Sequence, residues 1–447
     1  MKRTTRLATC MALASLVIAM GVSIPAAHAE ENCKDIQTVS DLGDDGGSRQ
    51  LRASLASVCA GGTVQIVPGS LVLQGGSLVV ARDVTIRGLG TAANPTVIDA
   101  HHASRVIDIT SAHVKLSDVT LTSGTAIGSG PDGSGGAIRS TASVVELDRV
   151  VVTDSFASNT GGGVANVATS AGPGVLTVRE SSISSNTATV GGGGISNVAR
   201  GGDASLVIDD SAITSNLVTG PGLPVAPGGG ILSTSSIPAL GGTVSVSLHG
   251  ASVVASNRAQ TGGGIFSNGV VAARLTLNDE SVVSGNTATQ QGGGIFSIAS
   301  SGTALLTLND ESQVAGNTAQ GNGGGVFNEG DMVLGDSARI ERNVAVDGAG
   351  LYNWGFAKAV SVTLQDEASI SANTASGYGG GVRQVVQGGP ASLTLRDNSS
   401  IHDNTANLLN ASSGGGVANS GGVVTLLAPA AVFSNHPNNC SGTIACT

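Results

Sequence analysis

Apolar residues in this chain alternate with polar ones in bursts of three to five residues, and the bursts recur. In one unit Leu275-x-Leu277 is followed by Val283-x-x-Asn286-x-Ala288, and three glycines then lead into Ile295. A period of two marks a short strand with one buried face, and no 3.6-residue period competes with it. The run from Leu275 to Ala288 is repeated almost verbatim from Leu306 to Ala319. Aligned on a single asparagine, the units fall at Asn159, Asn186, Asn216, Asn257, Asn286, Asn317, Asn343, Asn373, Asn404 and Asn435, with successive gaps of 27, 30, 41, 29, 31, 26, 30, 31 and 31 residues. A period near 30 held over most of a chain is the signature of a solenoid. Three short strands per unit, stacked at about 4.8 Å, predict an all-β fold. The expected form is a parallel β-helix of about 10–12 turns, a rod roughly 50–60 Å long.

The repeated residues fit this expectation. Glycine pairs such as Gly162-Gly163, Gly263-Gly264 and Gly324-Gly325 recur at one corner, where a missing Cβ permits positive φ and close backbone approach. The Asn186, Asn216, Asn257, Asn286, Asn317, Asn343, Asn373 and Asn404 column marks another corner. There asparagine tolerates the left-handed region, and its amide can bond its neighbour one turn along, so a structural ladder is expected. Leu51, Leu55 and Val58 lie at i, i+4 and i+7, which predicts a short helix capping the N-terminal edge. The resulting division is a leader at 1–29, an N-terminal cap at 30–60, the β-helix at 61–436 and a C-terminal cap at 437–447.

The leader reading rests on Lys2, Arg3 and Arg6, an apolar run from Leu13 to Ile24, and Ala27-His28-Ala29 as a small-x-small cleavage pattern. That is the pattern of a secretory signal peptide, and it places the mature chain outside the cell. The net charge of −10 becomes −13 without the leader, which holds three basic residues and no acid. Such a surface makes nucleic acid a poor partner. Four cysteines remain, Cys33 and Cys59 near one end and Cys440 and Cys446 at the other. Export permits disulfides. Of the three connectivities that four cysteines allow, Cys33–Cys59 with Cys440–Cys446 ties down each terminus.

The units that carry Asn-Thr-Ala followed by Gly-Gly-Gly and Ile or Val resemble the right-handed parallel β-helix repeats of secreted bacterial proteins. They are similar to the Gly-Gly-Ala-Ile and Phe-x-x-Asn repeats of polymorphic outer membrane proteins, and Gly135-Gly136-Ala137-Ile138 has the first of these verbatim. Leu51-Arg52-Ala53-Ser54-Leu55 followed by Gly61-Gly62-Thr63-Val64 resembles the N-terminal cap of such proteins. The resemblance covers about residues 40–436 and implies surface exposure or adhesion. It implies no reaction. The sequence ends at Thr447 with no segment resembling an autotransporter barrel or a cell-wall sorting signal.

Parallel β-helices also carry polysaccharide lyases and glycoside hydrolases, so an enzyme is the alternative expectation. No Asn-Thr-Asp, Gly-His-Gly or Arg-Ile-Lys occurs, and Lys34, Lys115 and Lys358 are the lysines outside the leader. Asp99, His101, His102, Asp108, His113 and Asp118 form the densest set of ligand-type side chains, and a surface turn is the expected reading. Glu180, Asp210, Asp279, Asp310, Asp336, Asp366 and Asp397 share one column. Stacked carboxylates repel unless a cation or water relieves them, which makes the column a weak Ca²⁺ candidate; otherwise no cofactor is expected.

Aromatic residues change the picture most, because they are few: six Phe, two Tyr and one Trp in 447 residues. The position after the inward Ile or Val of each unit reads Ala165, Ser196, Leu232, Phe266, Phe296, Phe327, Tyr352, Arg383 and Ala418. By alternation this column faces outward. The expectation is an exposed stripe of Phe266, Phe296, Phe327 and Tyr352, joined by Trp354 and Arg383, that binds an extracellular glycan or a surface protein. The column after it, of Asn, Ser and Gln, is expected to bond along the stack as turn-side amides. A monomer without a membrane-spanning segment in the mature chain completes the reading.

Overall fold

The computed structural model describes residues 33–220, 226–235, 240–407, 409 and 412–442. The chain coils into a parallel β-solenoid of about 12 turns, almost free of helix. One turn illustrates the rest. Ile265–Asn268, Ala272–Leu277, Val282–Ser284 and Thr287–Gln291 are strands of four different sheets, after which the chain returns to Ile295–Ile298 directly above its start. The sheets hold 13, 14, 13 and 9 strands. Register is strict: Ile265, Ile295, Val326, Leu351, Val382 and Val417 follow one another in a single column. These side chains, with those of Leu275, Leu277 and Val283, fill a continuous apolar core along the axis.

Nine of the turns therefore have a fourth strand where the alternation predicts three, and the turns at the two ends have three. The middle burst is broken at its asparagine into Val282–Ser284 and Thr287–Gln291. The residue before the asparagine makes the corner: Ser256, Gly285, Gly316, Arg342 and Ala372 all have φ between 54° and 64°, and the asparagines do not. The expectation that asparagine itself takes the left-handed conformation is thus corrected by one position. What the asparagine does is bond. From Asn186 to Asn435 each Nδ2 donates to the Oδ1 of the next asparagine at 2.9–3.1 Å. The backbone N–H of the same donor asparagine donates to that same oxygen. The column is buried, so these bonds form where water does not compete, and every amide satisfied there avoids a desolvation penalty.

The glycine and asparagine columns meet inside the coil and are not separate corners. A Cβ on Gly264 would stand 2.8 Å from Asn286 Nδ2 and 2.7 Å from the Gly294 carbonyl, and Gly294 meets Asn317 in the same way. The inner polar column does bond along the stack: Asn166 to Asn197 at 2.8 Å, Asn328 to Asn353 at 3.0 Å, Asn353 to Gln384 and Gln384 to Asn419 at 3.2 Å each.

At the N-terminal end, helix α1 (Leu51–Ser57) buries Leu51 and packs Leu55 against the core. A strand the sequence reading missed, Lys34–Val39, precedes it and pairs with Val58–Ile66. Arg52 on α1 holds Asp44 at 2.6 Å and donates to the Ser77 carbonyl at 2.9 Å, tying the cap to the first turn. Cys33 and Cys59 are disulfide-bonded. Cys440 is also in a disulfide, and Cys440–Gly442 pairs with Val417–Asn419. Residues 1–29, read as the leader, and Cys446 lie outside the described residues. The long gap between Asn216 and Asn257 does not interrupt the coil. Ile231–Ser235 pairs with the turn on either side, so the extra residues are divided between two connections, and the Asn216–Asn257 bond is intact at 3.0 Å.

Candidate binding site at the end of an aromatic stack

Parity along the glycine-led strands does turn Phe266, Phe296, Phe327 and Tyr352 away from the axis: they form an apolar cluster separate from the main core. The expectation of an exposed stripe is nevertheless overturned for three of them. Phe266, Phe296 and Phe327 are 9%, 7% and 0% exposed. Ring centroids lie 5.2, 4.6 and 5.1 Å apart down the column, with interplanar angles of 13°, 3° and 10°. The cause is the repeat distance itself. Identical rings in register one strand spacing apart stack face on face, so each covers its neighbour's flat surface and only ends and edges are left for anything else. Leu232 closes the lower end.

The upper end is open. Above Tyr352 the column continues with Arg383, not with a ring. On the same strand, Leu351–Phe356, the outward positions are Tyr352, Trp354 and Phe356. Trp354 meets Phe327 edge-on at 5.8 Å and tilts against Phe356 at 4.6 Å, and its Nε1–H donates to Gln387 Oε1 at 3.2 Å. Phe356 is 44% exposed and Tyr378 39%. The Arg383 guanidinium lies over the Tyr378 ring, 4.9 Å from its centroid. Seven of the nine aromatic residues thus gather around one outer face, and they end in a terrace of half-buried and exposed rings beside Arg383 and Gln387. Tyr378 and Gln387 are absent from the sequence reading. Tyr378 stands on the corner before Gly379, where period-two alternation assigns no face.

Two charged groups lie beneath this terrace. Glu329 is outward on Val326–Glu329, in register with Ile298, yet only 8% exposed. Burial pushes its carboxyl up to about 7, against the pull of the Lys358 ammonium. Lys358 reaches back two turns and donates to the carbonyls of Ala299 (3.2 Å) and Gly302 (2.9 Å). Burial also holds the Tyr352 hydroxyl above its usual range; Arg383 works against this shift and Asp347 adds to it.

The other sequence candidates are dispersed. Asp279, Asp310, Asp336, Asp366 and Asp397 all take the left-handed conformation, with φ of 50–57°. The backbone N–H of each of the first four donates to the carboxylate one turn on: Asp279 to Asp310 at 2.9 Å, Asp310 to Asp336 at 3.1 Å, Asp336 to Asp366 at 3.2 Å, Asp366 to Asp397 at 3.4 Å. The column is a backbone-capping ladder, and among the described residues no three His, Cys, Asp or Glu side chains converge on one point. His101 and His102 have φ of 49° and 53°, so they sit in a turn and do not point to opposite faces of a strand. Their neighbours are engaged separately, Asp108 with Arg105 and Arg139, Asp118 with Arg87 and Arg149, His113 with Glu146. Among the described residues no helix is long and apolar enough to cross a membrane. The chain matches no protein-family model, and neither a curated protein nor a solved structure is significantly similar to it.

Proposed function

We propose that this protein is a secreted, non-catalytic binding rod that displays the terrace of Trp354, Phe356 and Tyr378 to an extracellular glycan or surface protein. One observation supports the reading above all: a chain with nine aromatic residues keeps three of them on an outer face, part-exposed and flanked by hydrogen-bonding side chains. Flat rings offer contact area at low entropic cost, and sugars and peptides both use them. Buried Phe266, Phe296 and Phe327 form the foundation of that surface and do not touch the ligand. The adhesion implied by the resemblance to polymorphic outer membrane proteins is consistent with this role.

The test is a Trp354→Ser, Phe356→Ser double variant compared with the unaltered protein on a glycan array and on intact cells. Loss of binding with an unchanged melting temperature supports the reading. Unchanged binding sinks it. Release of unsaturated or reducing ends from polysaccharide would favour the enzyme alternative.

A further inference from the structure

Arg383 is the point at which the aromatic column changes chemistry. Its guanidinium has five N–H groups, and among the described residues its one hydrogen bond is from Nη2 to Ser420 Oγ at 3.0 Å. Its buried Nε has no acceptor among the described residues. Among the described residues no carboxylate forms an ion pair with it, whereas Arg52, Arg105, Arg139 and Arg149 all have one. Asp347, which like Arg383 acts on the Tyr352 hydroxyl, accepts the Tyr378 N–H at its Oδ1 at 2.7 Å and forms no ion pair with Arg383. The chain as a whole is acidic, with a net charge of −10. A half-buried cation left unmatched in such a molecule has given up hydration without gaining a partner, and an anion at its open Nη edge would restore the balance.

The neighbouring rings define what kind of anion fits. Tyr378 lies under the guanidinium. Trp354 is on the adjacent strand, two residues further along: Tyr352 is in register with Arg383, and Trp354 with Val385. One strand spacing and one two-residue step place it on the order of 8 Å from Arg383. A cation and a flat ring that far apart match a sugar ring whose carboxylate sits at one end and whose C–H face lies on the indole.

We propose that the terrace takes a carboxylated glycan, its carboxylate paired with the Nη edge of Arg383 and its sugar ring stacked on Trp354. The inference rests on the binding role proposed above and adds the ligand's charge. Two sources share this chemistry, hexuronate and sialate residues.

The experiment uses the whole protein and three probes: trigalacturonate, sialyllactose, and trigalacturonate with its carboxyls reduced to alcohols. Titration calorimetry is expected to show binding to one or both acidic probes at least tenfold tighter than to the reduced one, and weakening with salt. Arg383→Met, which keeps the apolar stem, should abolish that preference without moving the melting temperature, and Arg383→Lys should restore part of it. Whichever acidic probe binds more tightly identifies the source. Equal affinity for the acidic and reduced probes, lost in Trp354→Ser, would overturn the role of Arg383 and leave the glycan reading standing. No binding of any probe by the unaltered protein would end the inference, and the glycan array decides the broader reading separately.

Discussion

A single amide in the asparagine column serves two turns, which makes these positions less tolerant than their polarity suggests. Asn317 donates from Nδ2 to the Val283 carbonyl and to Asn343 Oδ1, while its own oxygen accepts from both nitrogens of Asn286. Asn317→Asp removes both Nδ2 donations, leaves Asn343 Oδ1 with the Asn317 backbone N–H alone and places a carboxylate at a fully buried site, so a cost of roughly 3–5 kcal/mol is expected from urea denaturation. Glu329 predicts a pH effect of definite sign. Its carboxyl is raised from an ordinary value of 4.5 to about 7 in the folded protein. The folded state thus favours the protonated form, and the associated stability is full below about pH 4.5 and is lost as pH rises through 7. Glu329→Gln should flatten that decline, with the two proteins diverging by at most about 3 kcal/mol across the window. Parallel denaturation curves at pH 4.5 and 7.5 would contradict it. Nothing in the repeat pattern hints at Glu329, because its burial comes from neighbouring turns and from Lys358.

At the scale of elements, the ring stack and the caps do different work. Phe327 is enclosed by two stacked rings and the Trp354 edge, so Phe327→Ala should cost about 3–5 kcal/mol, whereas exposed Phe356→Ala should cost less than about 1 kcal/mol. If instead Phe356→Ala destabilises as much, the terrace is structural and not a display surface. The strands themselves were legible in the sequence because a half-buried strand has a fixed period of two: Leu275, Leu277 and Val283 point inward as their alternation requires. The fourth strand was not legible, since a two-residue strand such as Thr318–Ala319 is too short to show a period, and the corner that separates it is made by whichever residue precedes the asparagine.

For the whole molecule, stability in a solenoid is a sum of turns and nearest-neighbour contacts, so the ends differ from the middle. The N-terminal end is closed by α1, the Lys34–Val39 strand and the Cys33–Cys59 bridge. At the other end Val424 and Leu426 are only partly buried and Val423 is 64% exposed. Hydrogen exchange should therefore be fastest in Val423–Leu426 and Ala431–Phe433 and slowest near Leu275–Ala288; uniform protection along the coil would contradict this. The sequence by itself determined the repeat, the parallel stacking and the inward columns, because each follows from a period that every turn repeats. Tertiary structure decided how much of each outward column meets solvent. Alternation says which way Phe296 points, but only the 4.6 Å approach of Phe327 says that its face is covered. Likewise Trp354 and Arg383 come from successive turns, and coiling alone brings them to one edge. Distance between turns is a property of the stack, and no single turn encodes it.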